Sequence, residues 1–365
     1  MKFVFVSYNY NPEYSSPGTW ITRVKAYLGV LTALSKNNNV TRIKQISYEG
    51  EHTFNGAHFR FVNYNDARLW FPHKMHRLIG SMKPDVVIVH GLHKPLQTMQ
   101  LRFYLAGKTK IIVQNHAEKP AKGLKKAAQK LASRYVNAYL FASKAMGLDW
   151  VRKGNLASAD KIHEVMELSS VFYPIDKRLA QAKTGVTETN AFLWVGRLDQ
   201  NKDPLTVVNA FLKFAADTPS ACLYMLYHTE ELLPEITRLI NNAPRAAAIK
   251  LIGKIPNEDM LYWYNSVDFV LSGSHYEGSG TAVCEALSCG CIPLVTDIFS
   301  FRMMTNNGNI GLLYEAGNEA GLLTALHQAT GLDKSAEKEK ALAYFKSTLS
   351  FEAIANRIQD IASSC

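Results

Sequence analysis

The strongest constraint on this chain is a rhythm: short, mostly apolar runs alternate with longer stretches of helical periodicity from one end to the other. A first set of runs comprises "KFVFVS" (2–7), "HFRFVN" (58–63), "DVVIVH" (85–90), "KIIVQN" (110–115), "NAYLFAS" (137–143) and "HEVME" (163–167). A second set comprises "AFLWVG" (191–196), "CLYMLY" (222–227), "IKLIG" (249–253), "DFVLSG" (268–273) and "CIPLVT" (291–296). Runs of this length bounded by turn residues suit strands covered on both faces. Helical patterns such as "WITRVKAYLGVLTALSK", "DPLTVVNAFLKFAAD" and "NEDMLYWYNS" supply the covering layers. Repeated strand–helix–strand alternation therefore predicts an α/β fold with parallel, doubly wound sheets.

Between the two sets lies "SSVFYPIDKRLAQAKTGVTETN" (169–190), which is polar, carries Pro174 and lacks a strand pattern. It reads as a connector. A chain of 365 residues also exceeds what one hydrophobic core ordinarily fills. The predicted organisation is an N-terminal domain over 1–170, a linker over 171–189, a second domain over 190–345 and a closing helix over 346–365. In doubly wound sheets ligands bind beyond the carboxyl ends of the strands, so the cleft between two such domains is the expected site.

Composition narrows the function classes. The first apolar run, Phe3 to Val6, is too short for a signal peptide, and no segment approaches the length of a membrane span. A soluble, cytoplasmic protein is expected. The five cysteines form no CxxC or zinc pattern and read as buried, reduced thiols. The histidine pairs His73/His76 and His90/His93 lack partners at ligand spacing, and no metal site is expected. The formal charge of +10 is concentrated in 118–135, with Lys122, Lys125, Lys126, Lys130 and Arg134. The plain reading is a solvated helix face. The sharper one is a weak peripheral contact of 119–134 with anionic lipid at the inner face of the membrane. Nucleic acid is not an expected partner, because charge alone points to it. No GxGxxG follows the first strand, which argues against a dinucleotide oxidoreductase.

The chemistry concentrates in two strand-to-helix loops of the second domain. "AFLWVG" runs into "RLDQNKDP", placing Arg197 and Lys202 at a strand's carboxyl end beside a helix N-terminus, an arrangement suited to a diphosphate. "DFVLSG" runs into "SHYEGSG" and a helix from about Thr281. Gly278 and Gly280 let backbone amides approach a ligand, and the helix N-terminus adds partial positive charge. Glu285 falls one turn deeper on the same helix face as Thr281. A carboxylate there can grip vicinal hydroxyls, and Glu277 on the turn would face the other end of the ligand.

"VGRLDQNKDP" together with "EGSGTAVCEALSCGCIPLV" resembles the signature of the retaining glycosyltransferases of family 4. That family has two Rossmann-like domains, the B-type glycosyltransferase fold, and a closing helix that commonly returns to the first domain. "VQNHAEK" resembles its histidine after a strand, and "NPEYSSPGTW" its glycine loop, here with the single Gly18 where a pair is common. "LIGKIP" resembles the segment whose backbone reads the nucleotide base, which places Ile255 there. The resemblance implies that Arg197 and Lys202 neutralise the departing nucleoside diphosphate and that Glu285 binds the ribose. It implies further that Glu277 and the amides of Gly278, Ser279, Gly280 and Thr281 hold the transferred sugar, with His116 contacting it from the other domain. Asp203-Pro204, Ser279 and the Thr281-Ala282 pair depart from the family's usual residues, but no charged residue is lost.

The implied reaction is metal-independent transfer, with retention, from a nucleotide sugar to a glycan or lipid-linked acceptor in cell-surface polysaccharide synthesis. The nucleotide sugar is a substrate, so no cofactor is expected; UDP-sugar is the first choice and GDP-sugar the second. No Asp-x-Asp occurs in the chain, which suits basic residues in place of a cation. The competing readings are a nucleotide-sugar epimerase or phosphorylase on a similar fold, and a non-catalytic nucleotide-sugar binder. A glycoside hydrolase would have no use for Arg197 and Lys202.

Overall fold

The computed structural model describes residues 1–24, 28–64 and 70–365. The chain divides into two compact units, residues 1–169 with 351–365, and residues 170–350.

In unit 1 the strands are β1 (Lys2–Asn11), β2 (Asn39–Ile46), β3 (Gly50–Phe54), β4 (Ala57–Val62), β5 (Val86–His90), β6 (Lys110–Gln114), β7 (Ala138–Phe141) and β8 (Ile162–Glu164). They form one sheet in the order β3-β4-β2-β1-β5-β6-β7-β8. Every pairing is parallel except that of β3 with β4. The helices of this unit are α1 (Pro17–Val24), α2 (Gly29–Ser35), α3 (His73–Ser81), α4 (Pro95–Arg102), α5 (Gly123–Ala132) and α6 (Lys144–Arg152). Phe3, Val4, Phe5 and Val6 are all buried, because the parallel strand is covered on both faces. One face carries Val4, Val6, Tyr8, Ile43, Val87 and Val89 into a single apolar cluster.

β2 and β3 lie outside the apolar runs. β2 carries Arg42, Lys44 and Gln45 into the sheet, and β3 is a polar edge strand. β3 and β4 are joined through Asn55 and Gly56, with φ of 47° and 82°, the two-residue hairpin turn that Asn-Gly favours. Of the stretch expected as one helix over 20–36, α1 takes the start and α2 the end, and residues 25–27 lie outside the described residues. At Gly29 a β-carbon would stand 2.5 Å from the ring of Phe351, so the glycine admits α15 (Phe351–Ser364).

The chain passes through unit 2 as α7 (Lys177–Thr184), β9 (Asn190–Gly196), α8 (Pro204–Asp217), β10 (Ala221–Tyr227), α9 (Leu233–Asn241), β11 (Ile249–Gly253) and α10 (Met260–Ser266). It continues as β12 (Phe269–Ser272), α11 (Thr281–Cys289), β13 (Ile292–Thr296), α12 (Phe299–Met304), β14 (Leu312–Tyr314), α13 (Glu319–Thr330) and α14 (Lys334–Tyr344). The sheet order is β11-β10-β9-β12-β13-β14, all parallel. Alternate residues of β9 go to opposite cores: Phe192 and Trp194 join Phe211, Phe214 and Phe269, while Ala191 and Leu193 join Cys222, Tyr224, Trp263 and Tyr264. The strand order reverses between β9 and β12, which places the switch point of the sheet where their carboxyl ends adjoin.

Two expected boundaries differ. Residues 171–189 are part of unit 2 rather than a free linker, because α7 packs on α10. The amide of Ile175 donates to Asn265 Oδ1 at 2.9 Å, Lys177 pairs with Asp268, and Thr184 and Ser266 hydroxyls meet at 2.7 Å. Residues 346–350 likewise stay with unit 2, and the change of unit falls at Phe351. From there α15 packs on α2. Lys110 Nζ donates to the carbonyl of Ala362 at 2.7 Å, Asn38 Nδ2 to Gln359 Oε1 at 2.7 Å, and Lys36 pairs with Glu352 at 3.0 Å.

Candidate active site

In unit 2 the site begins where β9 ends. Arg197 follows Gly196 directly and is half exposed, its guanidinium 3.0 Å from Asp199 Oδ2. Asp199 also binds the turn, accepting the amide of Lys202 at Oδ1 (3.0 Å). Asp203 then adopts φ +45° and caps α8 by accepting the amide of Thr206 at 3.3 Å, with Pro204 at the first helical position. A single loop thus fixes both cations.

The loop after β12 is stitched to it. The amide of His275 donates to Asn201 O at 2.8 Å, and Asn201 Nδ2 donates to Tyr276 O at 3.0 Å. A β-carbon on Gly273 would meet the carbonyls of Asp203 and Lys202 at 3.0 and 3.1 Å, so the glycine is what lets the loops approach. Lys202 Nζ pairs with Glu277 across this seam. Gly280, at φ +55°, precedes α11 and supplies no side-chain cap. The amides of Val283 and Cys284 return to the Gly280 carbonyl, each at 3.1 Å, and the helix N-terminus directs its partial positive charge at whatever binds there.

Arg197, Lys202, Ile255, Glu277, Gly280, Thr281 and Glu285 line one cavity of about 350 Å³ within unit 2. Glu277 and Glu285 share its wall, but Glu277 is tied to Lys202 rather than standing apart at the far end. Gly278 lies on the adjoining turn and Ser279 is buried; neither lines the cavity. Glu285 accepts a hydrogen bond from Tyr264 Oη at 2.8 Å. Burial pushes its pKa up to about 7, against the lowering effect of that bond. The cavity can therefore receive an anion at one side and hydroxyl donors at a carboxylate that exchanges its proton near neutrality.

Tyr227, His228, Lys254 and Phe301 also line the cavity and were not apparent in the sequence. Lys254 is a third cation, delivered by the left-handed Gly253 that closes β11. The usable signal was positional: each of Tyr227, His228 and Lys254 stands at or just beyond the end of a parallel strand.

Gly18 and His116 belong to unit 1. Gly18 is the second residue of α1 rather than part of an open loop, and a β-carbon there would meet nothing. His116 follows β6 and joins a side-chain relay. Arg42 Nη1 contacts His90 Nε2, His90 Nδ1 lies 2.6 Å from His116 Nε2, and His116 Nδ1 pairs with Glu167. Because arginine only donates, the protons are assigned in one direction, from Arg42 through the two imidazoles to the carboxylate. Burial, then Arg42, His116 and Lys44, hold His90 well below the usual histidine range, and burial brings Arg42 down to about 10. The relay borders a cavity of about 270 Å³ walled by Phe5, Trp20, Leu31, Ile88, Met166 and Ile358. Arg42 Nε is buried without a hydrogen-bond partner among the described residues. No trio of His, Cys, Asp or Glu among those residues is grouped to hold a metal ion. Cys222, Cys284, Cys289 and Cys291 are buried free thiols, and Cys365 is partly exposed.

Residues 176–344, which carry the whole unit 2 cavity, match the family model described as glycosyl transferases group 1. Over 86 residues this chain is 31% identical to O-antigen chain mannosyltransferase B of Escherichia coli, a match covering 24% of this chain and 19% of that protein. The matched stretch thus spans about a fifth of that relative. Among solved structures, Anabaena Alr3699/HepE in complex with UDP superposes with a TM-score of 0.73 at 13% identity, covering 100% of both chains. Sucrose-phosphate synthase from Thermosynechococcus elongatus gives 0.69 at 14% identity over 99% of this chain and 98% of that one. A trehalose-6-phosphate structure from E. coli, bound with UDP-2-fluoro glucose, gives 0.70 at 11% identity over 100% of both. At such identities the likeness establishes the fold: two parallel-sheet α/β domains of the B-type glycosyltransferase architecture.

Proposed function

We propose that this protein transfers a sugar from a nucleotide sugar to a glycan or lipid-linked acceptor, with retention at the anomeric carbon. The observation that carries the reading is the meeting of Arg197, Lys202 and the start of α11 with Glu285 in one cavity of the group 1 domain. A nucleoside diphosphate offers the complementary groups in that spacing: two phosphates for the cations and helix amides, and ribose hydroxyls for Glu285. Charge that develops on the departing diphosphate is stabilised by groups already fixed in place, without a metal ion taking that role. Ile255 and Lys254, beyond β11, supply the floor for the base. Glu277 holds Lys202 in position and lies beside the transferred sugar.

The resemblance to the retaining family is what supports retention and a sugar contact by His116. Both ring nitrogens of His116 are engaged in the relay, so that contact falls to its backbone carbonyl or requires His90 to turn away. UDP is the proposed donor nucleotide, in keeping with the UDP complexes among the similar folds, with GDP second. The proposed setting is the cytoplasm, in the synthesis of cell-surface polysaccharide.

The test is a thermal-shift panel of UDP, GDP and ADP followed by a radiolabelled-sugar assay with the preferred nucleotide sugar. Arg197→Ala and Lys202→Ala should each lower turnover by about a hundredfold or more. Undiminished turnover in both removes the proposal. Release of nucleoside diphosphate only when acceptor is present marks transfer; a product still attached to nucleotide marks an epimerase.

A further inference from the structure

Arg197 and Lys202 have partners of different kinds. Arg197 is backed by Asp199, which belongs to the same loop, also accepts the amide of Lys202, and does not line the unit 2 cavity. Lys202 instead reaches across to the loop after β12, where its Nζ pairs with Glu277. Both members of that pair line the cavity, and their side chains are 22% and 14% exposed. Among the described residues, each is the other's one side-chain partner. The backbone on either side is fixed by other bonds, the amide of Lys202 by Asp199 and the carbonyl of Tyr276 by Asn201 Nδ2. The pair can therefore open by a turn of the Glu277 side chain alone.

An anion that comes to Lys202 meets a carboxylate already there. Glu277 opposes it twice, by occupying the ammonium and by like charge at close range. A diphosphate carries charge enough to displace the carboxylate, which then stands in a largely buried wall without a donor, at a cost in free energy. Beyond its second phosphate a nucleoside diphosphate has no donor to offer. A nucleotide sugar has a ring of hydroxyls there, and a carboxylate is a strong acceptor for them.

We infer that Glu277 biases this cavity toward nucleotide sugar and against the spent nucleoside diphosphate. It competes with the phosphates for Lys202, and once displaced it takes the hydroxyls of the sugar. The inference rests on the proposed reading of the cavity as a donor site. It gives the ion pair a part in turnover. When the sugar has left with the acceptor, the carboxylate loses its donors, returns to Lys202 and loosens the nucleotide left behind.

Calorimetry on the full chain with inorganic pyrophosphate, UDP and UDP-glucose tests it. Glu277→Gln removes the charge at nearly constant shape and should bind pyrophosphate and UDP about tenfold more tightly than the parent. UDP-glucose should gain less, so the ratio of UDP-glucose to UDP affinity should fall by about fivefold or more. Glu277→Ala should shift both quantities in the same direction, and the melting temperature checks that each variant is folded. In a Lys202→Ala background, Glu277→Gln should change UDP affinity by about twofold or less, because the competition needs the ammonium. Tighter binding that persists without Lys202 marks general repulsion, and equal or weaker UDP binding by both Glu277 variants shows no competition. Either result overturns the inference and leaves the donor site standing. An unchanged ratio between UDP-glucose and UDP overturns the part given to the sugar. Failure of UDP and pyrophosphate to bind parent and variants alike removes the donor reading itself, and the inference with it.

Discussion

Glu285 is the residue at which stability and binding pull in opposite directions. Buried against Tyr264, Glu285 has its folded-state pKa pushed up to about 7, above the ordinary carboxyl range. The folded chain therefore holds the proton more tightly than the unfolded chain, and stability falls as pH rises through this interval. Above about pH 7 the ionised group costs on the order of 3 kcal/mol relative to a neutral one. Glu285→Gln should accordingly stabilise the ligand-free protein at pH 8 by about 1–3 kcal/mol and by little at pH 5, read by urea unfolding at both. The same variant should weaken nucleotide binding at least tenfold, since a carboxylate accepts a hydroxyl's proton better than an amide does. Binding to the parent near pH 7 should release a proton, because hydroxyl donors favour the ionised carboxyl; calorimetry in buffers of different ionisation enthalpy reports it. Equal pH dependence of parent and variant would remove this account of Glu285.

At the scale of elements, the site is two strand-to-helix loops held at a fixed separation. Asp203 caps one helix from a left-handed turn; Gly280 opens the other helix without a side-chain cap. Gly273 sets how near the loops come. Gly273→Ala should push the Lys202 loop outward, costing about 1–3 kcal/mol of stability as overpacking does, and lowering turnover more than nucleotide affinity. Steady-state kinetics with unchanged turnover would show that the loops tolerate the shift. Much at this scale was legible. A charged residue placed directly after a buried apolar run is a local signal that located Arg197, and the polar loop running on into a helix located Lys202. Lys254 and His228 also follow strand runs directly, but a lone residue after a strand becomes part of a site only once neighbouring strands deliver others beside it. The residues of β3 are too polar to read as a strand without β4 alongside.

At the scale of the whole molecule, the chain's last helix is energetically part of its first unit. Ile354, Ile358 and Ile361 are buried, and Lys110 binds the carbonyls at the helix end. Ile358→Ala should destabilise unit 1 by about 2–4 kcal/mol, with faster hydrogen exchange in β1, β2 and α2 and unchanged exchange in the core of unit 2. Faster exchange in unit 2 alone would contradict that assignment. The sequence by itself determined the α/β class, the two parallel sheets and the cationic strand ends, because each depends on local periodicity and on which residue follows a buried run. Only the tertiary structure decided that 171–189 folds into unit 2, that Glu277 pairs with Lys202, and that Arg42, His90, His116 and Glu167 form a relay. Those depend on contacts between residues far apart in the chain, where burial and partner geometry are set by packing that no short stretch encodes.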